Sequence, residues 1–462
     1  MVLLNKLKTK TPKERKLAMT ECSTSQLTFP HFKKRKLSVD FKGGEITSDA
    51  GLLLIRQADD RMGLVKGLAN CIRDIRDYRY IDHDMETLSR QRIYQVIAGY
   101  EDGNDANLLK KDPALKTACD RLLSDNDLAS QPTFSRLENA VTTKDMYRIA
   151  NYFLDLYIQK KRKEQPGRIV LDMDGTDDPT HGSQQMTFFH GYYDQYMYHL
   201  LVIYDADSGD LITAVVRPGN KHASYGVLPI LKRIIKKLKT ALPGTKIIIR
   251  GDAGFAAPKL YDYCEQEDLG YVIGLIRNGV LEGTIEELSQ RAHQKYIETG
   301  QKQRLFAEIQ YQAGSWQKDR RVVMKAEWQE KGKNRRFVVT NLSYEAKKLY
   351  EFYTERGGTC EVRIDELKNG LKADRLSCHR FIANQFRLFL HMAAYWIVQR
   401  LREALQKTEF ASMHIQQLRL RLLKIGAQVL QSARRVWFRL ASGYPWKDIF
   451  TLVYKRLAMN SC

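Results

Sequence analysis

The chain has 462 residues, 43% of them hydrophobic, and 75 Lys+Arg against 54 Asp+Glu give it a net charge of +21. It is therefore globular, long enough for two or three domains with a sizeable core, and its positive excess points to a polyanionic partner, most simply nucleic acid, although ribosomal and membrane-surface proteins share that charge. Its seven scattered cysteines form no C-x2-C pair, which argues against a disulfide framework or zinc site and for a reducing compartment; its longest apolar stretch, Leu388 to Val398, is too short to span a membrane.

Residues 1–40 are polar and basic, ending in His31-Phe32-Lys33-Lys34-Arg35-Lys36, and read as a flexible solvated tail or an arm that touches phosphates. The lysines near the start are followed by no apolar h-region, so a cytoplasmic protein is expected. Residues 41–165 read as a helical DNA-binding region. Its N-cap cluster Thr47-Ser48-Asp49 precedes apolar positions at helical spacing, including Leu52, Ile55, Leu64, Leu68, Ile93 and Ile97. This region suits helix-turn-helix readout of DNA or, equally, a structural helical layer. A connecting helix over 144–161 closes it.

Residues 166–276 read as the first part of a catalytic core. The apolar run Arg168-Ile169-Val170-Leu171 ends in Asp172-Met173-Asp174-Gly175-Thr176. Two further runs, 198–204 and 211–216, flank a hairpin loop. A helix over 223–238, a strand Lys246-Ile247-Ile248-Ile249-Arg250-Gly251-Asp252, a helix over 258–267 and a strand over 271–275 follow. The resulting β-β-β-α-β-α-β order is that of an RNase-H-like mixed α/β sheet. A mostly-β insertion is expected over 277–336, the second part of the core with a long helix over 337–405, and a basic helical C-terminal region over 406–462. The segment 411–462 holds nine Lys+Arg against one Asp+Glu. Arg419, Arg421, Lys424, Arg434, Arg435 and Arg439 interleave there with apolar residues, a mixture suited to a phosphate backbone or to a solvated face.

The acidic residues carry the chemistry. Two apolar strands each end in an aspartate, Asp174 and Asp252, 78 positions apart in a strongly basic chain. Carboxylates delivered to the carboxyl end of a sheet suit Mg²⁺, and two such ions suit an in-line displacement at phosphorus. A third carboxylate is then wanted. Tyr353-x2-Arg356-x4-Glu361-x6-Lys368 supplies Glu361, with Lys368 two helical turns on and expected on the same face.

These three motifs, in this order, resemble the bacterial insertion-sequence transposases of the DDE type, in the branch with a Y-R-E-K motif and a β insertion before the Glu. Flanking strings such as Gly99-Tyr100-Glu101-Asp102 and Gln131-Pro132-Thr133-Phe134-Ser135-Arg136 add to the match, which runs from about residue 30 to the end. The resemblance implies Mg²⁺-dependent cut-and-paste transposition, with hydrolysis at element ends followed by strand transfer. It implies Asp174, Asp252 and Glu361 as catalytic metal ligands for two Mg²⁺ ions, with Mn²⁺ as a substitute. Tyr353, Arg356 and Lys368 are implied to position DNA phosphates, and a homodimer to pair two double-stranded ends at terminal inverted repeats. The chain departs from the family in one place: four residues separate Arg356 from Glu361, where a common form of the motif has three.

Two rival readings share these residues. Asp172-x-Asp174-Gly175-Thr176 also matches the first motif of haloacid-dehalogenase-like phosphatases, with Asp172 as nucleophile. Against this, the second acid of their last motif is replaced by Ala256, and a hairpin follows where a helix belongs. The other rival is a transposase-derived DNA-binding protein without catalysis.

Overall fold

The structure, a computed structural model, describes residues 26–459. The expected basic tail lies outside this range up to residue 25. Its remainder forms an antiparallel ribbon of β1 (Gln26–Phe32) and β2 (Arg35–Asp40). The pairs Leu27–Val39 and Phe29–Leu37 set apolar side chains on one side of this ribbon, a period-2 pattern that the neighbouring charge run obscures in sequence.

After β3 (Ile46–Thr47) comes a helical layer: α1 (Leu52–Met62), α2 (Leu64–Asn70), α3 (Met85–Ala98), α4 (Asp105–Leu109), α5 (Pro113–Ala118), α6 (Gln131–Ala140) and α7 (Thr143–Glu164). Helix α7 starts at a capping box in which Thr142 and Asp145 satisfy each other's backbone N–H. Every residue of α3 from Leu88 to Ala98 is buried. A helix enclosed on all sides cannot lie in a DNA groove, so α3 belongs to a structural layer.

Next comes the sheet. β4 (Arg168–Pro179), β5 (Phe188–His190), β6 (Gln195–Asp205) and β7 (Leu211–Val215) lead into α8 (Val227–Ala241), β8 (Lys246–Gly251), α9 (Pro258–Gln266) and β9 (Gly270–Leu275). Strands β4, β8 and β9 are parallel, whereas β6 runs antiparallel to β4 and β7 antiparallel to β6. The lateral order β7-β6-β4-β8-β9 is the RNase-H-like arrangement expected from the sequence.

The segment expected as a mostly-β insertion opens with two helices, α10 (Gly279–Thr284) and α11 (Glu286–Thr299). It continues as a meander of β10 (Gln303–Tyr311), β11 (Arg320–Gln329) and β12 (Gly332–Thr340). Because β12 pairs with β9 through Phe337–Thr340, the meander extends the core sheet to nine strands among the described residues. The short apolar run that marks Phe337–Thr340 is thus only the inner half of a longer strand.

Helix α12 (Ala346–Asp365) crosses the face of β4 and β8 and ends in a π-helical turn, Glu366–Gly370. Helix α13 (Phe381–Ala404) is buried along most of its length and joins the N-terminal helices to the sheet; its Trp396 indole donates to the Leu211 carbonyl at 2.9 Å. The expected helical C-terminal region contains α14 (Ile415–Leu418), a second π turn, a hairpin of β13 (Ala427–Gln431) and β14 (Val436–Leu440), and α15 (Lys447–Ala458). Strand β13 pairs with β3, and Lys424 bonds Asp49 at 2.6 Å, so this region closes onto the start of the helical layer.

Three of its basic residues are engaged internally. Arg419 donates to the Ile97 and Gly370 carbonyls, Arg421 lies over the Phe410 and Trp446 rings, and Lys424 holds Asp49. Arg434, Arg435 and Arg439 remain exposed on the hairpin.

Candidate active site

The site grows from the register of two adjacent strands. Met173 of β4 lies opposite Gly251, the last residue of β8, so Asp252 follows the end of its strand as expected. Strand β4 does not end at Asp174 but runs on to Pro179 paired with β6, and Asp174, opposite Val202, stands beside Asp252 where β8 stops. Asp174 accepts from the Gly175 N–H and from Arg356 Nη1, each at 2.8 Å. Asp252 accepts from the Gly254 N–H at 2.9 Å and caps the short 3₁₀ turn that follows. Burial raises the Asp174 carboxyl; Arg356 opposes that rise and the charge of Asp252 adds to it, leaving it at about 6. The two aspartates thus sense one another within a partly enclosed cleft.

Two glycines let the cleft close. A Cβ on Gly274 would fall 2.6 Å from the Tyr353 hydroxyl and 2.8 Å from the Ala253 nitrogen, so Tyr353 reaches over β9 to the Asp252 turn only because position 274 is bare. A Cβ on Gly175 would meet His199 Nε2 at 2.7 Å. His199 Nδ1 lies 2.8 Å from the Lys221 carbonyl, which fixes that nitrogen as the protonated one; burial lowers the ring to about 4 and keeps it neutral. Tyr193 lies beside the His199 ring and feels Asp177, Asp174 and Asp252; burial first, then those charges, pushes its hydroxyl to about 12. Sequence reading did not single out His199 or Tyr193. The available signal was the aromatic cluster His190-Gly191-Tyr192-Tyr193 at the turn into β6.

The structure brings together Asp174, Asp252, Tyr353 and Arg356. It does not bring Glu361 or Lys368 to the same point. Lys368 sits in the π turn after α12 and binds Asp177 at 2.8 Å. That turn breaks the helical spacing on which a shared face with Glu361 was expected. Glu361 is exposed, and its carboxylate folds back toward Gly357. The buried neighbour of Asp174 on this part of α12 is Cys360, whose thiol is pushed up by its burial and by the charges of Asp174 and Asp172. Among the described residues no cluster of three or more His, Cys, Asp or Glu is arranged to hold a metal. The donor set therefore fits one divalent cation on two carboxylates, and the third acid for a pair of ions is not in place.

Asp172 is fully buried and locked by Arg250, which donates from Nε at 2.6 Å and from Nη2 at 2.9 Å. The guanidinium in turn stacks 4.8 Å from the Phe352 ring centre. A carboxylate held this way on both oxygens is no nucleophile, which removes the phosphatase reading. Among the described residues no helix is long and apolar enough to cross a membrane.

A mixed sheet in this strand order, with two aspartates converging from parallel neighbouring strands, defines a domain of the RNase-H-like class. The particular family follows from the sequence: a model of the transposase DDE domain, group 1, matches residues 29–462, and the chain belongs to that family of DDE transposases. Domains of this kind generally use divalent metal ions. No curated protein matches the chain. Among solved structures, a piggyBac transposase synaptic complex with hairpin DNA, determined by cryo-EM, is similar at 13% identity and a TM-score of 0.41. That match covers 82% of this chain and 80% of the other.

Proposed function

We propose that the chain is a bacterial insertion-sequence transposase that cuts phosphodiester bonds at its element's ends by Mg²⁺-dependent hydrolysis and then joins those ends to target DNA. The observation that carries this reading is the placing of Asp174, within β4, beside Asp252, just past the end of β8, next to Arg356. The two aspartates are the residues that would hold a divalent cation, Mg²⁺ or Mn²⁺, which when bound supplies Lewis-acid activation of an oxygen at phosphorus.

The remaining roles belong to the chain's own groups. Arg356 balances the charge of Asp174 at 2.8 Å, and its guanidinium fork suits a DNA phosphate once that charge is otherwise met. Tyr353, seated between Gly274 and the Asp252 turn, offers its hydroxyl to the same phosphate. Lys368, half-buried against Asp177, adds positive charge along the path of the strand. Double-stranded DNA at terminal inverted repeats, and a homodimer that pairs two ends, complete the reading. Glu361 is its third acid.

The exposed position of Glu361 favours one other reading, a DNA-binding protein of transposase descent without catalysis. A single experiment separates the two. A plasmid carrying the open reading frame with its flanking DNA is incubated with the purified protein and Mg²⁺, and excision and strand breaks are followed. Wild type should cut at the flanks, whereas Asp174→Ala should lose cutting and keep its band shift on the same DNA. Cutting by Asp174→Ala removes that residue from the site; binding without cutting by wild type leaves the non-catalytic reading.

A further inference from the structure

Helix α12 turns one stripe of side chains toward the sheet. Leu349, Phe352 and Cys360 on it are buried, Arg356 reaches Asp174, and Arg363 donates to the Asp205 and Ala206 carbonyls. The intervals along this stripe are three or four residues, as an unbroken α-helix requires. Cys360, four after Arg356, therefore shares its face. Glu361, five after, is turned away from Arg356 by about 140° at 3.6 residues per turn. The acid is one residue out of register with the cleft it stands beside.

The helix is weak at the point where that register is set. Gly357 and Gly358 lie within it, immediately before the mismatch, and glycine is the poorest helix former after proline. A Cβ on Gly358 would meet nothing within 4 Å, and one on Gly357 only the Glu361 carboxylate, so close packing explains neither glycine. The same helix ends in a π turn, where the Leu371 N–H bonds the Glu366 carbonyl at 2.8 Å, so a five-residue turn is already part of this element.

We propose that α12 contains a one-residue register switch at Gly357-Gly358. In the α-helical form Cys360 fills the place beside Asp174 and Glu361 faces solvent. In the switched form a π turn closes from the Glu361 N–H to the Arg356 carbonyl, Glu361 takes the place beside Asp174 and Asp252, and Cys360 leaves it. Arg356 and everything before it keep their register. The switch rests on the proposed function, because it makes completion of the three-acid site depend on a conformational change in one helix.

The test needs no substrate. Full-length protein is treated with N-ethylmaleimide with and without Mn²⁺, modification of Cys360 is followed by peptide mass spectrometry, and bound Mn²⁺ is counted by electron paramagnetic resonance. Mn²⁺ should raise the Cys360 rate roughly tenfold, as expected when a closed segment opens, and leave the buried Cys119 and Cys264 unchanged. Glu361→Gln, altered only at an exposed side chain, should lose that acceleration. Bound Mn²⁺ with an unchanged Cys360 rate overturns the switch and leaves the aspartate pair standing, as does acceleration that survives in Glu361→Gln. No bound Mn²⁺ at all overturns both the switch and the metal-dependent reading beneath it.

Discussion

Asp172 and Asp174 lie two residues apart on one strand, face the same helix, and have opposite fates. Asp172 is closed off by Arg250 on both oxygens, so Asp172→Asn leaves a buried guanidinium without its counter-charge. Removing one partner of such a pair typically destabilises by about 3–5 kcal/mol, and denaturant unfolding of this variant should show a loss of that order. An unchanged midpoint would mean that the pair has no structural role. Asp174 is partly open and is raised to about 6, against 3.8 in the unfolded chain. The folded protein holds this proton to higher pH than the unfolded chain does. The residue's contribution to stability is therefore complete below the unfolded value and is lost as pH rises through about 6. Cation binding has the opposite dependence, because only the carboxylate is a ligand. Mn²⁺ affinity measured by calorimetry should fall as pH drops through about 6, and a flat profile there would exclude Asp174 as a ligand.

At the scale of elements, the chemistry depends on how closely α12 lies on β8 and β9. Gly274 is where that approach is tightest. Gly274→Ala places a methyl against the Tyr353 hydroxyl and the backbone of the Asp252 turn, neither of which yields without moving the site. The variant should lower the rate of the proposed cutting reaction more than it lowers Tm; a rate equal to wild type would show that Tyr353 can leave its seat without consequence. The β1–β2 ribbon presents the reverse case. Its Leu27, Phe29, Leu37 and Val39 are exposed, and two strands alone bury too little surface to secure an element.

For the molecule as a whole, α13 is the connecting member. It packs on α1, α3, α6, α7 and α15 and on β7, so the helical layer and the catalytic sheet share one hydrophobic core. Phe386→Ala, at a fully buried position on this helix, should therefore destabilise both by about 3–5 kcal/mol in a single transition. Two separated transitions would show that the layer and the sheet fold independently. The net charge of +21 acts at this scale too. If the exposed Arg434, Arg435 and Arg439 meet phosphates, the affinity for DNA should fall steeply with rising salt, and replacing all three by Ala should flatten that slope. An unaltered slope would place the contacts elsewhere.

The sequence by itself determined the strand and helix order of the core, because each apolar run there is bounded by a turn and buried on both sides of the sheet. It also marked Asp174 and Asp252 as the acids that follow buried apolar runs, although β4 carries on past Asp174 to Pro179 in its pairing with β6. Only the tertiary structure decided the rest. That Asp172 is a strut follows from Arg250 and Phe352, distant residues that no local pattern links to it. That the meander is part of the main sheet follows from the pairing of β12 with β9. Glu361 stands outside the cleft for a more local reason. Periodicity fixes which residues share a helix face only while every turn has the same number of residues, and the hydrogen bonding of α12, set by its packing against the sheet, decides whether Cys360 or Glu361 is the one that faces Asp174.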